Sequence, residues 1–280
     1  MQILNILSSH ATRDGDGVNI SRIAGFDGKH LDPFLMIDEL KSNDENDFMG
    51  GFPAHPHRGI ETFTYIIKGG FEHQDQMGNK KAIRAGDVQW MSTGFGVIHS
   101  EMPLADAKEG MHGFQIWLNM PSAEKLRAPQ YQDTTQSPAP VMRDKQGVKL
   151  TALAGSWQFA DEQQVSSLNN LAANGMVADV TLPAQTAFSH APLAQSKVMI
   201  YVHTGEIETT QAGVIKSGHL LILQPHSDIA FSSRKGAGVL LLAGEPLNQP
   251  IAHMGPFVMT TQAELQQAVR DYQIGKLGTL

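Results

Sequence analysis

His55-Pro56-His57-Arg58-Gly59-Ile60-Glu61-Thr62 and, further along, His99-Ser100-Glu101 form the stretch from which the fold can be read. Both His-x-His and His-x-Glu have i, i+2 spacing. On an extended strand, residues two apart point to the same face, so each pair can aim two side chains at one point. Two such strands side by side would offer three imidazoles and one carboxylate to a single metal ion. Alone, the spacing says little: 12 histidines in 280 residues give roughly half a His-x-His by chance. The surroundings add weight. Thr62-Phe63-Thr64-Tyr65-Ile66-Ile67-Lys68 is β-branched and aromatic and ends at Gly69-Gly70, a turn signal. Ala82 to Asp87 reads as a strand entering a tight turn, and Val88-Gln89-Trp90-Met91 follows. Gly94-Phe95-Gly96 bends the chain before Val97-Ile98-His99, and Phe114 to Leu118 is a further strand. Short strands with turn residues between them indicate a sandwich or small barrel.

Composition bounds the rest. A hydrophobic share of 41% and a charged share of 18% describe an ordinary globular chain, with length enough for two domains. The formal net charge of −7 argues against direct nucleic-acid binding, which needs a basic footprint. With no cysteine, the chain has no disulfides, thiolate zinc sites, iron–sulfur clusters or cysteine nucleophiles. Met1 to Leu7 lacks a basic leader, and apolar runs such as Gly238 to Ala243 are of strand length, far short of a membrane span. The expectation is a cytoplasmic protein that binds neither membrane nor nucleic acid.

Ser122-Ala123-Glu124-Lys125 reads as a single helical turn, and Arg127 to Pro140, rich in Gln, Thr, Ser and Pro, reads as a connecting loop. The predicted domains are therefore 1–130 and 131–280. The second half repeats the rhythm of the first: Lys197 to Glu206 echoes Phe63 to Gly69, and Ile215 to Leu223 echoes Ile83 to Trp90. The ligand pattern is not repeated, because His190 stands alone and His226 has no carboxylate two residues on. Near the C-terminus, Thr261-Gln262-Ala263-Glu264 fits a capping box, Leu265, Ala268, Val269 and Tyr272 share an apolar face, and Gly275 closes a helix packed on a barrel.

The order of motifs, strands and glycine turns resembles the cupin fold, a small jelly-roll β-barrel with its metal in the mouth. The spacing to the turn glycines is slightly long, and Pro103 occupies the late position. Both departures suit a subfamily whose fourth ligand is the carboxylate two residues after the third histidine. The chain resembles the pirin family more closely still. Asp32 to Glu39, Gly51 to Thr62, Gly86 to Met91 and His99 to Pro103 carry that likeness, joined by Pro129 to Gln132, Ala243 to Leu247 and Gly255 to Met259. The resemblance implies an all-β protein of two tandem cupin domains, the first metal-binding and the second without ligands. By the motif match the ligands are His55, His57, His99 and Glu101. The resemblance implies one divalent transition metal, Fe(II) first, while imidazole and carboxylate donors also suit Ni, Cu, Mn, Co or Zn. Glu101 is in addition the candidate catalytic base. Glu61 is either a carboxylate orienting a ligand histidine or a barrel-rim residue. Phe52, Met91, Gln115 and Trp117 are candidate pocket residues against the ordinary alternative of core packing. The remaining histidines (10, 30, 73, 112, 190, 203, 219, 226 and 253) are expected on the surface or in hydrogen bonds, with His112, just before a strand, the one to watch.

Members of the pirin family show quercetinase activity, so the resemblance implies a metal-dependent dioxygenase opening a flavonol ring with O2, its substrate a small planar phenolic. The alternative it implies is a metal-containing regulatory protein that binds a transcription factor or a metabolic enzyme. A cavity large enough for a three-ring substrate would separate the two.

Overall fold

The computed structural model describes residues 1–280. Twelve strands precede residue 134: β1 (Ile3–Ser8), β2 (His10–Asp14), β3 (Val18–Ala24), β4 (Phe34–Ser42), β5 (Phe52–His57), β6 (Ile60–Lys68), β7 (Gly70–Asp75), β8 (Lys80–Arg84), β9 (Val88–Ser92), β10 (Val97–Pro103), β11 (Met111–Asn119) and β12 (Gln130–Asp133). The chain divides into two compact units, each assembled from two separate runs. One comprises His10–Pro138 with Leu247–Leu280, the other Met1–Ser9 with Ala139–Pro246. The sequence-based division at 130/131 treats each domain as one continuous run. Hydrogen bonding across distant residues makes the difference: β1 pairs antiparallel with His219–Leu223, which draws the N-terminal residues into the later unit.

In the unit of His10–Pro138 and Leu247–Leu280, a seven-stranded sheet runs β12-β9-β6-β11-β4-β3-β2 and a four-stranded sheet runs β5-β10-β7-β8. Between them Val18, Ile20, Leu40, Ile66, Phe71 and Ile83 form a buried apolar cluster. This is the two-sheet jelly roll of a cupin. β6 shows how the sequence places side chains. Thr64 and Ile66 face the interior cavity, so by the period of two Glu61, Phe63 and Tyr65 face the other way. β5 carries Pro53 and Pro56, which cannot donate to a ladder, and it lies at a sheet edge, where that loss is tolerated. One segment differs from expectation: Gln130–Asp133, read as loop, pairs with β9 as an edge strand. Its polar residues are tolerated because an edge strand has a neighbour on one side only.

The predicted helix is α1 (Gln262–Gln273), with the capping box complete between Thr261 and Glu264. Leu265 and Ala268 are buried against Ile98, Phe257, Met259 and Leu277, so the helix belongs to the same compact unit as the first barrel. Tyr272, expected on its apolar face, is 41% exposed. Gly59, just after the His-x-His strand, has φ +79° and lies so close to the Val258 carbonyl that a Cβ would come within 2.2 Å of it. Only glycine allows both that backbone shape and that approach.

The unit of Met1–Ser9 and Ala139–Pro246 holds the second, larger sheet system, running Ile3–Ser8, His219–Leu223, Lys197–Thr209, Ala237–Gly244, Met176–Leu182, Lys149–Ala154 and Val141–Arg143. Its interior is filled by Trp157, Phe188, Ile200, Leu221, Phe231 and Leu241, among others. No helix of the chain is long and apolar enough to cross a membrane.

Candidate metal centre

β5 and β10 are antiparallel neighbours whose register sets Val97 opposite His57 and His99 opposite His55. That register turns two sequence-distant pairs into one cluster. The ring centroids of His55, His57 and His99 are 4.4–5.1 Å apart, and one nitrogen from each lies within 4.8 Å of the others. His57 and His99 are buried, His55 half-buried. Burial, reinforced by the neighbouring imidazoles, pushes His57 and His99 well below the usual histidine range. Both are therefore neutral, the form in which imidazole ligates a metal. The Nδ1 of His55 lies 2.7 Å from the carbonyl of Pro53. A carbonyl only accepts, so Nδ1 carries the proton and Nε2 keeps its lone pair.

Glu101 continues the face of His99 along β10, after a register shift that sets it opposite Phe52. Its Oε1 accepts from Thr64 Oγ1 and Gln89 Nε2 at 3.0 Å each, and its Oε2 from Gln115 Nε2 at 3.0 Å. The carboxylate is thus clamped from β6, β9 and β11. One of its oxygens groups with a nitrogen each of His99 and His73 within 4.8 Å, whereas the trio of His55, His57 and His99 is a separate group sharing His99. His73, on β7, sits opposite Glu101 in register; expected on the surface or in a hydrogen bond, it is fully buried and bonded to Asp75. Its pairing with Asp75 repeats the i, i+2 spacing in His73-Gln74-Asp75, a signal present in the sequence.

A cavity of about 660 Å³ opens beside the histidines, within the range of small-molecule sites. His55, His57 and Glu101 line it, and so do three of the four predicted pocket residues, Phe52, Gln115 and Trp117. Met91 is fully buried and is not among the lining residues. The Trp117 ring meets His57 edge-on at 5.1 Å and Phe26 at 6.2 Å, and Phe26 stacks on His253 at 3.7 Å. At another side of the cavity, Arg22 grips Asp38 through two hydrogen bonds, 2.7 and 2.8 Å long, and also binds Asp14. Sequence patterns gave no sign of His253, Phe26 or this charged corner, because each is assembled from separate elements.

Glu61 is fully buried, accepts from Trp90 Nε1 at 3.0 Å and pairs with Arg127 at 3.3 Å, on the face of β6 opposite Thr64. His112 pairs with Glu39 at 2.8 Å. Arg58, next to His57, is 1% exposed; it binds Asp271 of α1 at 3.0 Å, donates to the Phe95 carbonyl and lies over the Phe95 ring. Burial alone would raise the Asp271 carboxyl, but hydrogen bonds from Arg58, Lys276 and Gln267 bring it down to about 2.

His57 Nδ1 and both ring nitrogens of His99 are buried without a hydrogen-bond partner. Buried polar atoms are nearly always satisfied, and two unpartnered nitrogens on one ring, His99, leave at least one position that suits a bound ion. A transition metal would fill that position, and neutral nitrogen donors with a nearby carboxylate and no sulfur suit one.

Two jelly-roll barrels in one chain, one with a histidine centre at a cavity, define a bicupin. The chain belongs to the pirin family: the Pirin family model matches residues 17–118, and the Pirin C-terminal cupin domain matches 177–278. It is 40% identical over 278 residues to a Vibrio cholerae protein named "Putative quercetin 2,3-dioxygenase", covering 99% of this chain and 98% of that one. Human pirin is 33% identical over 282 residues, covering 98% and 93%. A crystal structure titled as quercetin 2,3-dioxygenase from Acinetobacter baumannii superposes with a TM-score of 0.88 at 29% identity, covering 99% of this chain and 98% of that one.

Proposed function

We propose that this protein is a metal-dependent dioxygenase that opens the ring of a flavonol or a related planar polyphenol with O2. The observation that carries the reading is the cavity of about 660 Å³ with His55, His57 and Glu101 in its wall and aromatic side chains around them. A cavity of that volume beside the histidines favours a small-molecule reaction over a purely regulatory metal. Similarity to proteins named quercetin 2,3-dioxygenase supports the substrate class.

His55, His57 and His99 would hold the metal, with Glu101 as the fourth donor, and Fe(II) leads the candidates. When bound, the metal would couple the electron-rich substrate to dioxygen. The chain's own residues do the rest. Glu101, held by Thr64, Gln89 and Gln115, would take the proton of the flavonol hydroxyl. Phe26, Phe52 and Trp117 supply flat apolar walls that would orient planar rings and exclude water. The test is oxygen uptake and carbon monoxide release with quercetin by metal-loaded protein, activity that His57→Ala should abolish. Metal-loaded protein that turns over no flavonol would overturn the proposal.

A further inference from the structure

His73 has no role in the reading above, yet it is fully buried beside the centre. It lies opposite Glu101 in the β7–β10 register, while Asp75, two residues on, lies opposite His99. The His73 and His99 rings are 5.5 Å apart, inclined by 48°. Tyr131 stacks on the His73 ring at 4.9 Å and 18°, which restrains the imidazole plane.

Asp75 is the fixed point of this arrangement. Its Oδ1 accepts the backbone N–H groups of Met77 (2.9 Å) and Asn79 (3.0 Å), and its Oδ2 accepts Asn79 Nδ2 at 2.8 Å. A carboxylate surrounded by donors stays an acceptor. The His73 Nε2, 3.1 Å from Asp75 Oδ2, must then carry the proton, and in a neutral ring Nδ1 is left with a bare lone pair. That Nδ1 is buried and has no partner. His99 presents the matching deficit, because both its nitrogens are buried and unpartnered. Once one of them ligates, the other bears a proton that needs an acceptor. His99 is the ring common to both donor groups, and the second group contains only His73 and Glu101 besides it. Glu101 accepts from three side chains and, as the fourth donor of the proposed centre, has its remaining lone pair directed to the metal, which leaves His73 Nδ1 as the acceptor.

We propose that His73 is a positioning residue for the metal centre: it accepts the N–H of His99 at Nδ1, and Asp75 holds it in the tautomer that can do so. The proposal rests on the reading of His99 as a ligand. Acceptors behind ligating histidines fix the ring orientation and raise its basicity, and their loss weakens metal binding roughly 10–100-fold.

The test uses Co(II), whose visible spectrum reports ligand geometry, titrated into metal-free full-length protein. Wild type should take up one ion. His73→Leu should bind about 10–100-fold more weakly with a shifted visible band. His73→Gln, whose amide oxygen can accept, should recover most of the affinity. Nitrogen-15 NMR of the wild-type imidazoles, which needs no variant, should read His73 as protonated at Nε2. Unchanged affinity and spectrum in His73→Leu, equal losses in Leu and Gln variants, or an Nδ1-protonated His73 would overturn the proposal while leaving the metal reading intact. Complete loss of binding in His73→Leu alongside retention in His55→Ala would overturn it too, by making His73 itself a ligand. Wild type that binds no Co(II) would overturn the metal reading and this proposal with it.

Discussion

Asp271→Asn is predicted to weaken the protein from a point remote in sequence from the candidate centre. Asp271 lies on α1, and its side chain is 5% exposed where it meets Arg58, the residue after His57. Its carboxyl is held at about 2 against an ordinary 3.8. At about 1.36 kcal/mol per unit, that difference is worth about 2.4 kcal/mol at neutral pH. Lys276, one of its partners, is 54% exposed, so solvent screening reduces the figure to about 1–2 kcal/mol. The substitution also leaves the buried Arg58 guanidinium without a counter-charge, and breaking a buried pair costs about 3–5 kcal/mol when nothing replaces it. Asparagine retains one acceptor, so a total loss of about 2–4 kcal/mol is expected at pH 7.

The pH dependence follows from the sign of the shift. A depressed carboxyl stabilises the fold fully above its unfolded value and loses that contribution as pH falls toward the folded value. The window is therefore about pH 4 down to about 2, and roughly half of the contribution is gone at pH 3. The stability gap between wild type and Asp271→Asn should narrow by about 0.5–1 kcal/mol between pH 7 and pH 3. Urea unfolding at both pH values, followed by tryptophan fluorescence, measures it. A variant as stable as wild type at pH 7, or a gap identical at both pH values, would refute the reasoning.

Three further outcomes are expected. Adding a chelator to metal-loaded protein should lower Tm, because metal at 100 times its Kd stabilises by about 2.7 kcal/mol, and His57→Ala should show no such shift in differential scanning fluorimetry. Gln89→Leu and Gln115→Leu each remove one donor to Glu101, and a bond to a charged group is worth about 1.5–3 kcal/mol, so steady-state oxygen uptake should show kcat/KM lowered by about tenfold or more. The buried Lys125 Nζ donates to the Gly59 carbonyl (2.7 Å), Asn119 Oδ1 (2.6 Å) and the Val258 carbonyl (3.0 Å); Lys125→Met strands these acceptors and should cost about 2–4 kcal/mol in chemical denaturation.

Why the histidine trio was legible and its supports were not comes down to the range of each signal. Strand geometry has a fixed period of two, so His55-x-His57 and His99-x-Glu101 declare a shared face within three residues. The order of strands and glycine turns then identifies the barrel that brings them together. Register is another matter. Nothing local to β7 says that His73 will lie opposite Glu101, although His73-x-Asp75 has the same spacing as His55-x-His57 and His99-x-Glu101. The same limit applies to Gln130–Asp133, whose polar residues look like loop until β9 offers an edge. It applies also to Ile3–Ser8, whose partner strand lies in the second half of the chain. α1 is the sharpest case. Its caps and apolar face were plain in the sequence, and from those alone it carries no chemistry. Yet Asp271 reaches an arginine 213 residues away that stands next to His57. A helix legible as packing is therefore also a clamp beside the strand that carries His55 and His57, because the partner of a buried charge is fixed by the fold and not by its neighbours in sequence.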